Sequence, residues 1–353
     1  MENIYESKSY TAIPPGVTLR EILIDRNISN RELAYRTDFS EKHISNLLSG
    51  KCELTTSMAN KLEYALGIEA SFWLNLESIY RLELEKVKEE NKLDEEYSFV
   101  QKIPYSEICK LGWIPKTSDK KERVKNLKKF FSIFSLDEIL TSEYTKYSFR
   151  KGFCSDLNYS VITWLQKVKI EAEKIEVNSV DLKGLEKNLK ELRSYILEDY
   201  SSLYKKLQNF FSRYGIAFVI IPHLLGSKLS GVSFYGNKRI VIGVTLLGKD
   251  SDRFWFNIFH EIGHVLLKHL ELDESAGKEQ AADDFARNIL IPDGDYKEFL
   301  NNDDYSKDAI IRFSANQGII PGILVGRLQK DRIIPFNKMN RLKRKINSIE
   351  ELL

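Results

Sequence analysis

The stretch Phe254-Trp-Phe-Asn-Ile-Phe-His-Glu-Ile-Gly-His264 constrains this chain more than any other. It ends in His260-Glu261-Ile262-Gly263-His264, an H-E-x-x-H pattern inside a run that otherwise reads as a buried helix. Histidines at i and i+4 project from one helix face, one turn apart, so both imidazoles can reach a single zinc ion. Glu261 sits beside the first histidine, where its carboxylate can take a proton from a water held by the metal. Two core histidines on an amphipathic helix would give the same pattern. A third ligand separates these readings.

The carboxylates on offer downstream are Glu271, Asp273, Glu274, Glu279, Asp283 and Asp284. The first three occupy a stretch with no evident constraint on direction. Residues 279–290 read as a second amphipathic helix, stopped by Pro292, with Ala282, Phe285, Ala286 and Ile289 on its apolar side. Glu279 and Asp283 fall on the side of Ala282 and Ala286, whereas Gln280, Asp284 and Arg287 face away, and Asp284 can pair with Arg287 at i+3. Carboxylates on an inward face call for a cation. Glu279 as the ligand, with Asp283 hydrogen-bonding a ligand histidine, satisfies both. Two histidines and one glutamate leave a fourth position open, which is the catalytic zinc pattern.

Upstream, Ile216–Ile221 reads as a strand, and Gly231–Tyr235 and Arg239–Val244 flank Gly236-Asn237-Lys238 as a hairpin. The hairpin suits pairing with an extended peptide and simple packing under the helix equally well. His223, Tyr235 and His269 are candidates, by residue type alone, for stabilising an oxyanion. His269 is better suited to the helix end as a polar cap.

At the other end, Pro14-Pro15-Gly16 closes an irregular arm and Thr18–Asp25 begins a helix. Ser29-Asn30-Arg31-Glu32 reads as a capping box opening a short helix that buries Leu33 and Ala34. Thr37-Asp38-Phe39 forms a turn, Ser40 caps the next helix with Ile44, Leu47 and Leu48 on its apolar side, and Gly50 ends it. These elements make a helix-turn-helix. The charge balance is consistent with a local nucleic-acid surface only: 53 basic and 51 acidic residues leave a net charge of +2, so no global field marks the chain as a DNA binder.

The motif Pro15-Gly16-x-x-Leu19-Arg20-Glu21, with Leu33-Ala34, Ile44-Ser45 and Leu48-Ser49-Gly50-Lys51, resembles the XRE-type helix-turn-helix of HigA-type antitoxins. Phe72-Trp73-Leu74-Asn75-Leu76-Glu77 resembles the segment closing that domain. The resemblance implies that Glu41–Asn46 enters the major groove of double-stranded operator DNA, with Lys42, Ser45 and Asn46 nearest base edges. Asn30, Arg31, Arg36 and Lys51 would lie near phosphates. Two departures matter: Asp38 stands where the family usually has glycine, and Glu41 repels phosphate. Weak binding per domain then calls for a homodimer through the N-terminal domain. The alternative is a helical bundle making only protein contacts.

Phe254-Trp-Phe-x-x-Phe-His-Glu-x-Gly-His264, followed by Glu279-x-x-Ala-Asp283-x-Phe-Ala286 and Leu290-Ile-Pro292, is similar to the ImmA/IrrE metallopeptidase family. Ile319–Gln329 looks like that family's C-terminal helix. Ala281 replaces the acidic residue usual two positions after the ligand glutamate, which leaves Glu279 as the third ligand of one Zn2+ ion.

These readings imply a mainly α chain with a small β-sheet. The expected divisions are a helix-turn-helix domain at 1–95, a helical connector or sensor region at 96–200, an α+β zincin-like peptidase domain at 201–335 and a basic tail at 336–353. A length of 353 residues has room for two or three domains. Cys52, Cys109 and Cys154 form no CxxC pair, which points to a reducing compartment. No apolar run reaches membrane-spanning length and the first residues lack a signal-peptide pattern, so the expected location is cytoplasmic. Two functions fit. One is a DNA-binding regulator with a zinc endopeptidase domain that cleaves or controls a repressor, toxin or other protein partner. The other is an antitoxin-like repressor whose metal domain is structural or sensory.

Overall fold

The computed structural model describes residues 4–141, 158–270 and 277–353. The chain divides into two compact units, Met1–Phe99 and Val100–Leu353.

The first unit opens with a two-residue ladder where an irregular arm is expected, β1 (Tyr5–Glu6) paired antiparallel with β2 (Thr11–Ala12). Five helices follow: α1 (Pro15–Asp25), α2 (Asn30–Thr37), α3 (Glu41–Leu48), α4 (Thr56–Leu66) and α5 (Ala70–Asn91). Helix α1 starts at Pro15, one turn before the expected Thr18, because proline at the first helical position gives up no needed N–H. Its start presses against α3. A Cβ on Gly16 would lie 2.2 Å from the carbonyl oxygen of Leu47, so only glycine permits this crossing. Leu19, Leu33, Ile44, Leu47, Leu62 and Trp73 form the core.

Ser29 and Ser40 cap α2 and α3 by accepting from Glu32 N and His43 N at 3.1 and 3.2 Å. The expected capping box is one-sided, because the Glu32 carboxylate pairs with Arg36 one turn on. Asp38 takes the left-handed conformation (φ 55°) that the turn between α2 and α3 requires, as the missing glycine demanded.

Helix α6 (Leu93–Lys102) contains the point of division between the units. The second unit continues through α7 (Tyr105–Lys110), α8 (Lys120–Phe131), α9 (Tyr159–Glu173), α10 (Leu182–Lys187), α11 (Leu189–Ser194) and α12 (Leu203–Ser212). A three-stranded sheet comes next, in the order β3 (Ile216–Ile220), β5 (Arg239–Val244), β4 (Gly231–Gly236). β4 and β5 form the expected hairpin. The parallel pairing of β3 with β5, Ile216 opposite Ile240 through Ile220 opposite Val244, needs the long return that the hairpin's position supplies.

Gly243 in the central strand makes room for α9: a Cβ there would meet Val168 at 2.7 Å. Helices α13 (Ser251–Leu266), α14 (Gly277–Leu290), α15 (Asp293–Asn301), α16 (Lys307–Gln317) and α17 (Pro321–Lys330) complete the unit.

One core joins residues from Leu185 through the sheet and α13 to Ile346 and Leu352. Boundaries at 200 and 335 do not coincide with breaks in it. The basic C-terminal stretch is anchored by those two apolar side chains and by Lys343, which pairs with buried Asp252 at 2.9 Å. Among the described residues, no single helix is long and apolar enough to cross a membrane.

Candidate metal centre and DNA-facing surface

Helix α13 carries the H-E-x-x-H pattern through the middle of the second unit, burying Phe254, Trp255, Ile258, Phe259 and Ile262. Period-3.6 spacing turns His260 and His264 together, and their Nε2 atoms lie 3.0 Å apart. Gly263 lets α14 approach on the other side. A Cβ there would lie 3.2 Å from the Ala282 Cα and 3.1 Å from the Phe285 ring. Because Ala282 sits at that crossing, Glu279 and Asp283 on either side of it reach the histidines.

Glu279 Oε2 is 3.3 Å from His260 Nε2, and its Oε1 is 3.5 Å from His264 Nε2. The donor atoms of His260, His264 and Glu279 all lie within 4.8 Å of one another, close enough to hold one metal ion. Helical periodicity predicts that Glu279 faces inward, but its side chain is 60% exposed and reaches the histidines from the first turn of α14.

The outer ring nitrogens are also engaged. His260 Nδ1 donates to Asp283 Oδ1 at 2.8 Å, which fixes the tautomer whose Nε2 can serve as a metal ligand. Burial opposes the Asp283 charge, but the hydrogen bond and charge of His260, then Arg287 and Lys330, hold its pKa below the usual carboxylate range. His264 Nδ1 meets His269 Nδ1 at 3.2 Å. The His269 ring, expected to cap the helix end, thus meets the second histidine of the pattern. Burial, then the neighbouring His264 and Lys278, push its imidazole below its ordinary range.

Glu261 is 2% exposed and accepts a 2.7 Å hydrogen bond from Ser233 Oγ of β4. A cavity of about 290 Å3 fronts this cluster, lined by His260, Glu261, Glu279 and Asp283 with Lys228, Gly231 and Asn257. Neither His223 nor Tyr235 lines it. His223 instead faces Ser227 at 3.5 Å, and Tyr235 is 52% exposed. Glu271, Asp273 and Glu274 lie outside the described residues.

In the first unit, Lys42, Ser45 and Asn46 share the face of α3 opposite buried Ile44, Leu47 and Leu48. Lys42 and Ser45 are exposed and Asn46 is half-buried. Asn30, Arg31, Arg36 and Lys51 are exposed. Arg31 stands 4.0 Å from Glu41, which offsets part of the acidic charge at the start of α3. Arg36 is shared between Glu32 and the Ala65 carbonyl.

Residues 213–328 match the IrrE N-terminal-like domain and residues 18–70 match the Cro/C1-type HTH DNA-binding domain. Eighty residues are 38% identical to the uncharacterized HTH-type transcriptional regulator YddM of Escherichia coli (strain K12), covering 22% of this chain and 85% of that protein. The chain belongs to the helix-turn-helix regulators and carries an IrrE-like domain. It is also similar to an addiction module antidote protein of a HigA family from Coxiella burnetii. That likeness is 27% identical with a TM-score of 0.22, over 24% of this chain and 94% of that one.

Within the IrrE-like domain, sequence reasoning passed over Gly231 and Ser233. A Cβ on Gly231 would lie 2.6 Å from Glu261 Oε1, so the strand closes on the carboxylate from one side while Ser233 holds it from the other. The available signal was the period-2 spacing of small residues at 231 and 233 in a strand expected to lie near the helix. Asn257, one turn before Glu261, was also missed because asparagine on a helix carries no pattern of its own.

Proposed function

We propose that this regulator is a zinc-dependent endopeptidase tethered to operator DNA, acting on a repressor, toxin or other protein partner. His260, His264 and Glu279 hold the ion in this reading. The observation that carries it is the convergence of these three side chains beside a buried, oriented Glu261. Their separations of 3.0 to 3.5 Å fit a tetrahedron with bonds of about 2.0–2.1 Å, whose edge is roughly 3.3 Å. A zinc ion there supplies Lewis acidity toward a peptide carbonyl and acidifies water.

Glu261 accepts the proton of the attacking water and returns it to the leaving nitrogen. Ser233 donates to Oε2, which keeps Oε1 for that transfer. β4 is an edge of the three-stranded sheet and runs beside α13, a position at which an extended peptide can add as a further strand. Lys228 and Asn257, which line the cavity, can offer N–H groups to a developing oxyanion. In the first unit, Lys42, Ser45 and Asn46 read base edges, with Asn30, Arg31, Arg36 and Lys51 near phosphates.

Glu261→Gln tests the enzymatic step. The variant should retain zinc and DNA binding while cleavage of the partner falls by about 10²–10⁴-fold. Undiminished cleavage would remove Glu261 from the chemistry. For the DNA surface, a Lys42→Ala/Asn46→Ala double variant should lose operator affinity with its zinc content intact. Unchanged operator binding would move the groove contact to another helix.

A further inference from the structure

A second cavity, of about 410 Å3, adjoins the one in front of the metal centre; both are lined by Ser230, Phe256, Asn257 and Asp283. It runs between α13, α14 and α17, and Phe256, Leu290, Ile291 and Ile323 give it apolar walls. Most charges around it are already matched. Lys343 pairs with Asp252 at 2.9 Å, and both are buried. Arg327 donates to the Ile291 carbonyl and to Asp293, both at 2.6 Å, while Asp283 accepts from His260. Arg287 lies 3.9 Å from each of Asp284 and Asp331.

Arg253 and Lys330 differ. Both are exposed at the edge of the cavity, and neither makes a hydrogen bond or ion pair among the described residues. The cavity therefore combines an apolar interior with exposed positive charge at its mouth, one wall away from Glu261, and Asp283 offsets part of the Lys330 charge.

We infer that this cavity receives the substrate side chain next to the scissile bond, and that this side chain is large and apolar within an acidic segment. The inference rests on the peptidase reading for the position of the scissile bond. The interior desolvates the apolar side chain, and acidic neighbours left outside meet Arg253 and Lys330. The segment selected is thus a hydrophobic residue flanked by aspartate or glutamate, and a lysine-flanked one is disfavoured by like charge.

The test uses four fluorescein-labelled hexapeptides with phenylalanine or alanine in the central position and aspartate or lysine on both sides. Their binding to zinc-loaded Glu261→Gln protein is followed by fluorescence anisotropy. The acidic phenylalanine peptide should bind tightest, by at least about tenfold over its alanine counterpart and roughly fivefold over its lysine-flanked counterpart. Adding Arg253→Glu and Lys330→Glu, both at exposed positions, should abolish or invert the charge preference. Adding Leu247→Trp at the half-buried wall should abolish the phenylalanine preference.

Equal binding of the four peptides, binding of none, or a charge preference that survives the reversal would overturn the inference. Cleavage of the same peptides by the wild-type protein is scored separately. Binding with the stated preference but without cleavage keeps the subsite and removes the peptidase; cleavage without the preference removes the subsite alone.

Discussion

A methyl group added at Gly231 has nowhere to go, because Glu261 Oε1 would lie 2.6 Å from it and Ser233 fixes the other carboxylate oxygen. The carboxylate itself is the mobile partner, so Gly231→Ala should fold and displace it. A misplacement near 1 Å lowers catalysis by about 10²-fold; kcat should fall by that order while zinc content, measured by metal analysis, stays at one equivalent. Loss of zinc instead would mean that the strand supports the ligands and not Glu261. Asp283 acts on the other side of the cluster. Asp283→Asn keeps the shape but removes the charge that orients His260, so zinc affinity should drop by about 10–100-fold in a chelator competition titration. An unchanged affinity would show that His260 needs no such support.

Single residues also decide how helices meet. Gly263 and Ala282 bring α13 and α14 into backbone contact, and a Cβ at 263 would force the helices apart by a few tenths of an ångström. The histidines were legible in the sequence because one helix holds both at a fixed spacing. Glu279 and Asp283 were legible because a second helix repeats that periodicity around Ala282 and Ala286. What placed Glu279 was the Gly263–Ala282 crossing and not burial, since periodicity fixes a helix face but not how deep it sits. Ser233 was not legible, because its role depends on which strand lies over Glu261.

Arg193 was hidden for the same reason. From α11 it donates to the carbonyls of Ile289, Leu290 and Gln317 at 2.9, 3.0 and 2.6 Å, satisfying the ends of α14 and α16 together. Burial lowers its pKa, yet it remains a cation. Arg193→Ala should destabilise the second unit by about 2–3 kcal/mol in denaturant unfolding. A change below about 0.5 kcal/mol would mean that water replaces the guanidinium without loss.

At the scale of the molecule, the two units have separate cores: Leu19 through Trp73 in one, Leu185 through Leu352 in the other. The sequence conveyed the identity of both ends through local motifs, but not the extent of the second core. Helices of the expected connector and the basic C-terminal stretch join it by contacts that span most of the unit, and no local pattern encodes these. Separate cores have a thermodynamic consequence. Zinc bound by His260, His264 and Glu279 stabilises only the unit that contains them, by about 4 kcal/mol when free zinc is 1,000 times its Kd. Calorimetry of the full chain should therefore resolve two transitions. Chelation should lower the one reported by the second unit's Trp255, and His260→Ala should abolish its response to zinc. The first unit's transition, identified by its loss in a Gly16→Val variant that cannot form the α1–α3 crossing, should not move. A single transition that shifts as a whole with zinc would show that the two cores unfold as one.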